Sequence, residues 1–249
     1  MKIRNNKKYG WKDIQWNDFS LILFYIFGLI FVSLISMIVV NSIPGLKFNE
    51  KGESGHIRAL LTDISVCILL ILGWIILHKE TYRRQIKQGL YNIKKNWKLI
   101  VMTLIIVIIL KIVIGSLIDQ FAPPQWQFKE SENDQSISEL LTGFWSKVFM
   151  FISVVIVAPL IEEFLFRHLL IGELGKKFNF VFMSIVSIVA FAYLHVTNAK
   201  SPLEIILYLI IGAALVFVYM KSNRSYATSV CLHSVYNLVS FIGMISISQ

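Results

Sequence analysis

Three short runs in the second half of the chain hold side chains of the kinds that hydrolyse amides. In APLIEEFLFRHLL, Glu162, Glu163 and Arg167 interrupt an otherwise apolar stretch. An unpaired ionisable group in hydrocarbon costs about 2.5–3.5 kcal/mol on insertion scales, so these three must be compensated or used. Glu163 and Arg167 are spaced i,i+4, share a helix face and are expected to pair as a bidentate carboxylate and guanidinium. Glu162 points about 100° away and is left without a local partner, which suits it to take a proton from water. FAYLH places Phe191 and His195 on one face, and HSVYN does the same for His233 and Asn237.

The elements that must carry these residues are membrane helices. Of 249 residues 56% are hydrophobic and 16% charged, against about 25% charged in a soluble domain. Apolar stretches of bilayer length, about 20 residues, run over 19–40, 59–77, 98–118, 145–172, 178–196, 203–220 and 226–247. The expected fold is all-α, a polytopic bundle of about seven transmembrane helices. The first follows a basic start but is too long for a signal-peptide core and lacks a small-residue cleavage site, so it reads as a retained anchor. Lys and Arg fall before helix 1, in the loop between helices 2 and 3 (Lys79 to Lys98), at Lys176 and Lys177, and at Lys221 and Arg224; the loop KESENDQSISE at 129–139 is acidic. By the positive-inside rule the N-terminus is cytoplasmic and the C-terminus outside. The net charge of +9 is therefore a topology signal, and no nucleic-acid partner is expected. Trp11, Trp16, Trp97, Trp126 and Trp145 flank helices, as interfacial aromatics do.

Polarity divides the chain into residues 1–142, with helices 1 to 3, and residues 143–249, a catalytic helical core. In the first part Asp63 and Lys111 stand out and are expected to neutralise each other. Counted at about 1.5 Å per residue from the cytoplasmic helix ends, Glu162, His195, His233 and Asn237 lie about 12–24 Å deep, close enough in depth to meet in one cavity. Motifs of other hydrolases are missing or misplaced. HExxH and GxGD do not occur, so zincins and GxGD-type aspartyl proteases are not indicated. Gly52, Glu53, Ser54 and Gly55 spell GxSG, but within a hydrophilic stretch that reads as a turn. Cys67 and Cys231 are the only cysteines and lie in apolar runs, so a disulfide framework is not available, and Cys231 lacks the basic neighbour that an activated thiol needs.

EEFLFR, FAYLH and HSVYN read as EExxxR, FxxxH and HxxxN, and in that order over about residues 143–245 the chain resembles the CAAX protease and bacteriocin-processing (Abi) family of intramembrane endopeptidases. The resemblance implies that Glu162 and His195 activate the attacking water, that His233 and Asn237 hold the oxyanion, and that Glu163, Arg167 and Phe191 support the site. It implies no metal and no other cofactor. Many relatives have a further helix after the last motif, so part of the cavity wall is expected from helices 1 to 3 or from another subunit. The chemistry agrees: amide hydrolysis needs a base for water, a donor to the tetrahedral oxygen and a proton for the leaving amine. The expected substrate is a membrane-associated peptide or protein, as in bacteriocin, pheromone or CAAX-like processing. The Ile, Lys and Asn richness points to a bacterial plasma membrane. Two other readings stay open: a zinc peptidase using His195, His233 and a Glu, and a non-enzymatic immunity or scaffold protein.

Overall fold

The computed structural model describes residues 9–42, 53–141 and 143–247. Helices make up the framework, and no strand occurs among the described residues. In chain order they are α1 (Trp16–Ser42), α2 (Glu53–Leu77), α3 (Tyr82–Lys95), α4 (Trp97–Phe121), α5 (Glu132–Glu139), the long α6 (Phe144–Phe178), α7 (Phe180–His195), α8 (Glu204–Lys221) and α9 (Tyr226–Ile247). Six helices, α1, α2, α4, α6, α8 and α9, are long and apolar enough to cross a membrane, and α7 is apolar but has only 16 residues. The chain is a multi-pass membrane protein, and the six spans with α7 correspond to the seven stretches expected from sequence. All five flanking tryptophans are exposed.

Two helices differ from expectation. The basic stretch after α2 is not a loop: YRRQIKQGLYNIKK forms α3, an amphipathic helix with five cations and no acid. It packs on α9, where a Cβ at Gly89 would come within 2.9 Å of Ala227 Cβ, so the glycine permits the close approach. Part of the acidic loop is also helical, as α5, where the Ser131 hydroxyl accepts from the Asp134 amide and caps the first turn. The GxSG stretch is not a turn throughout. Glu53 already starts α2, while Gly52 lies outside the described residues.

The long α6 changes winding along its length. It is α-helical over Phe144–Phe151, π-helical over Ile152–Val157, α-helical over Ala158–Glu163, π-helical over Phe164–Leu174, and ends with Gly175–Phe178. In the first π segment the Ala158 N–H reaches back five residues to the Ser153 carbonyl. The next residue in that register is Pro159, which has no N–H, so the Val154 carbonyl receives nothing from it. Asn179, at φ +81°, turns the chain from α6 into α7, and its Oδ1 accepts from Val181 N at 2.8 Å.

The hydrophobic core joins Phe166 of α6, Phe191 of α7, Tyr208, Ile211 and Leu215 of α8 and Leu232 of α9 to Ile100 and Val107 of α4. Packing therefore runs from α4 directly into the helices that bear the three motifs. Asp18 is a polar group that sequence reasoning passed over. It is 1% exposed and binds His78 Nε2 at 2.8 Å and His168 Nε2 at 2.7 Å. One carboxylate thus ties α1, the end of α2 and α6 together.

Candidate active site

Glu162, His195, His233 and Asn237 line one cavity of about 160 Å³, together with Phe191. Glu162 and Glu163 come from the α-helical turn of α6 between the two π segments. Glu163 is fully buried and turned away from the cavity into a cluster: Oε1 contacts Arg167 Nη1 at 3.0 Å and His233 Nδ1 at 2.9 Å, and Oε2 accepts from the Ser229 hydroxyl. The expected bidentate fork is not formed. No aligned hydrogen bond joins Arg167 to Glu163, and His233 and Ser229 bind the carboxylate as well. The contact of Arg167 with Glu163 is one of charge, since Arg167 Nε and Nη1 have no aligned hydrogen-bond partner among the described residues. Arg167 is held instead by the Gly212 carbonyl, 3.4 Å from Nη2, and by the Phe191 ring, whose centroid lies 4.7 Å from the guanidinium carbon. A Cβ at Gly212 would fall 3.3 Å from Phe191 Cδ1, which explains a small residue there.

Both histidines present Nε2 to Glu162. His195 Nδ1 lies 2.8 Å from the Phe191 carbonyl; a carbonyl only accepts, so Nδ1 carries the hydrogen and a neutral ring keeps its lone pair on Nε2. The same reasoning at the Glu163 carboxylate puts a hydrogen on His233 Nδ1. Glu162 Oε2 lies 3.7 Å from His195 Nε2 and 3.8 Å from His233 Nε2. It is buried and has no hydrogen-bond partner among the described residues. His195 is clamped between the rings of Phe191 and Tyr208, at centroid distances of 4.4 and 4.9 Å, so Phe191 supports the imidazole by its ring and by its carbonyl. Asn237 Nδ2 donates to the Val154 carbonyl at 2.8 Å, the acceptor that Pro159 leaves open.

Sequence reasoning missed four residues here. Lys111 of α4 does not meet Asp63 as expected. It lines the cavity, contacts Asp134 of α5 at 3.4 Å and lies 5.7 Å from the Tyr236 ring. α5 supplies this closer partner, which a sequence read as loop did not reveal. Helix 3 of the sequence reading, now α4, thus supplies part of the wall. Ser229 was legible in principle, because Ser229, His233 and Asn237 form an i,i+4,i+8 stripe. Tyr208 and Asp134 had no local signal, since each depends on a contact distant in sequence. Among the described residues no group of three His, Cys, Asp or Glu side chains is placed to hold a metal.

Residues 144–239 match the family described as type II CAAX prenyl endopeptidase Rce1-like. That segment is similar to the Rce1-like family. It contains every motif residue, from Glu162 to Asn237, and most of α6 to α9. A protein of Bacillus subtilis (strain 168) named "Putative membrane peptidase YdiL" is 33% identical over 96 residues of the chain. That match covers 39% of this chain and 36% of the relative, so the chain spans about a third of the relative's length. No solved structure matches the chain.

Proposed function

We propose that the chain is an intramembrane endopeptidase in which Glu162 activates the attacking water. The observation that carries this reading is the unpartnered Glu162 Oε2, set 3.7 and 3.8 Å from two imidazole Nε2 atoms. Such separations are too long for direct hydrogen bonds and suit one bridging water. In the proposed reaction the water oxygen bonds to the scissile carbonyl carbon while Glu162 takes one of its protons. The carbonyl π electrons move to oxygen. Asn237 Nδ2 has one hydrogen on Val154 and a second left to give that oxyanion. His233 can add a donor from Nε2 only when its ring is protonated, with Glu163 at Nδ1 balancing the charge. When the tetrahedral adduct collapses, the C–N bond breaks and the proton on Glu162 passes to the leaving nitrogen, directly or through His195 Nε2. The carboxylate is restored.

By its family resemblance the substrate is a membrane-associated peptide or protein, processed as a bacteriocin, pheromone or CAAX-like tail would be, and the Ile, Lys and Asn richness assigns the protein to a bacterial plasma membrane. The test is a comparison of peptides released from a membrane protein extract by proteoliposomes holding the wild-type chain or Glu162→Gln. Wild type is expected to generate fragments, read by mass spectrometry, that the variant does not. Identical peptide sets would favour a non-enzymatic membrane protein.

A further inference from the structure

A second, larger cavity of about 680 Å³ lies on the opposite side of the glutamate-bearing turn. Leu160, Ile161 and Phe164 of α6 line this cavity, whereas Ala158 and Glu162 line the catalytic one. The volume is within the range of about 300–1,000 Å³ common for small-molecule sites. Its other walls come from the inner end of α2, the start of α1, the start of α9 and α3. All of these lie at the end of the bundle that the positive-inside rule assigns to the cytoplasm.

We propose that this cavity binds an anionic phospholipid of the cytoplasmic leaflet, with an acyl chain in the apolar part and the phosphate on Arg84. Leu70, Ile71 and Trp74 of α2 face the α6 residues across the cavity and make a wall suited to a hydrocarbon chain. α3 supplies the polar wall, because Arg84, Gln88 and Asn92 line the cavity at i,i+4,i+8. Gln88 donates to Asn92 at 2.9 Å and Asn92 to the Ser225 hydroxyl at 3.2 Å. One hydrogen of each amide is therefore engaged within the wall itself. Arg84 is exposed, and among the described residues no carboxylate pairs with it. The charge of α3, five cations without an acid, complements an anionic membrane surface, and basic pockets between cytoplasmic helix ends take such headgroups. A zwitterionic lipid would meet the same walls without the charge match. A peptide substrate bound here would be separated from Glu162 by α6, so this occupant is distinct from the substrate.

Trp74 reports on the site. In a variant that keeps Trp74 and carries Phe at the other five tryptophans, detergent-solubilised full-length protein is titrated with phosphatidylglycerol brominated on its acyl chains, and separately with equally brominated phosphatidylcholine. Saturable quenching is expected, at least about tenfold tighter for phosphatidylglycerol. Arg84→Gln should reduce that lipid to the level of the other, and Ile71→Phe, which narrows the apolar part of the cavity, should weaken both. Quenching that rises in proportion to lipid and equally for both would mean unspecific contact, and saturable quenching blind to headgroup and to Arg84→Gln would remove the anionic ligand; either overturns the proposal. Should the single-tryptophan variant not fold, native mass spectrometry of the wild-type chain supplies the same decision through retention of one phosphatidylglycerol, lost in Arg84→Gln. Neither readout uses peptide cleavage, so the result stands apart from the peptidase reading.

Discussion

The two adjacent glutamates differ in what surrounds them, and on the proposed mechanism that difference separates reaction from folding. Glu163 has both oxygens occupied, by Arg167, His233 and Ser229, and breaking a buried pair by removing one partner costs about 3–5 kcal/mol. Glu163→Ala or Arg167→Ala should therefore lower the melting temperature and the amount of folded protein in membranes. Asn237→Ala should slow cleavage by about 10²–10³-fold with little change in KM, as loss of one oxyanion donor does; steady-state kinetics on a released-peptide substrate check this, and a variant that weakens binding but keeps turnover would leave Asn237 a packing amide. Incubation with a chelator should leave cleavage intact. Loss of activity restored by added zinc would move the chemistry to a metallopeptidase built on His195, His233 and Glu162.

At the scale of elements, α6 and α9 meet through an atom that the backbone leaves open. In the π register the Val154 carbonyl would accept from the amide N–H of residue 159, which Pro159 lacks, and Asn237 Nδ2 donates there instead. Pro159→Ala restores that N–H, so the stability cost of Asn237→Ala, about 1 kcal/mol for one such hydrogen bond, should shrink in the Pro159→Ala background. A double-mutant cycle of melting temperatures measures the coupling, and additive losses would separate the two residues. The seven apolar stretches and the three motif faces were legible in the sequence because length, hydropathy and i,i+4 spacing are local properties. α3 was misread as a loop because its pattern is amphipathic and not apolar throughout, and a run of Lys and Arg between spans carries topology and helix signals together. The windings of α6 were not legible: Pro159 signals a disturbed helix, but whether it kinks or widens depends on the partner for Val154, which lies on α9.

The whole molecule joins the motif-bearing helices to the first half at two levels. On one side Lys111 of α4 and Asp134 of α5 line the cavity at Glu162. On the other, Asp18 gathers His78 and His168. Neither contact followed from the sequence, because each joins residues far apart in the chain. Asp18→Asn should destabilise the bundle by about 1–3 kcal/mol, the cost of leaving buried partners unsatisfied, seen as a lower melting temperature with unchanged turnover per folded molecule below the transition. The central claim is that one carboxylate of the pair reacts and the other supports, and the most direct measurement sets Glu162→Gln beside Glu163→Gln in proteoliposomes, scoring peptide release and melting temperature together. Glu162→Gln is expected to keep the wild-type melting temperature and release no fragment, while Glu163→Gln loses stability; fragment release by Glu162→Gln at the wild-type rate would contradict the account.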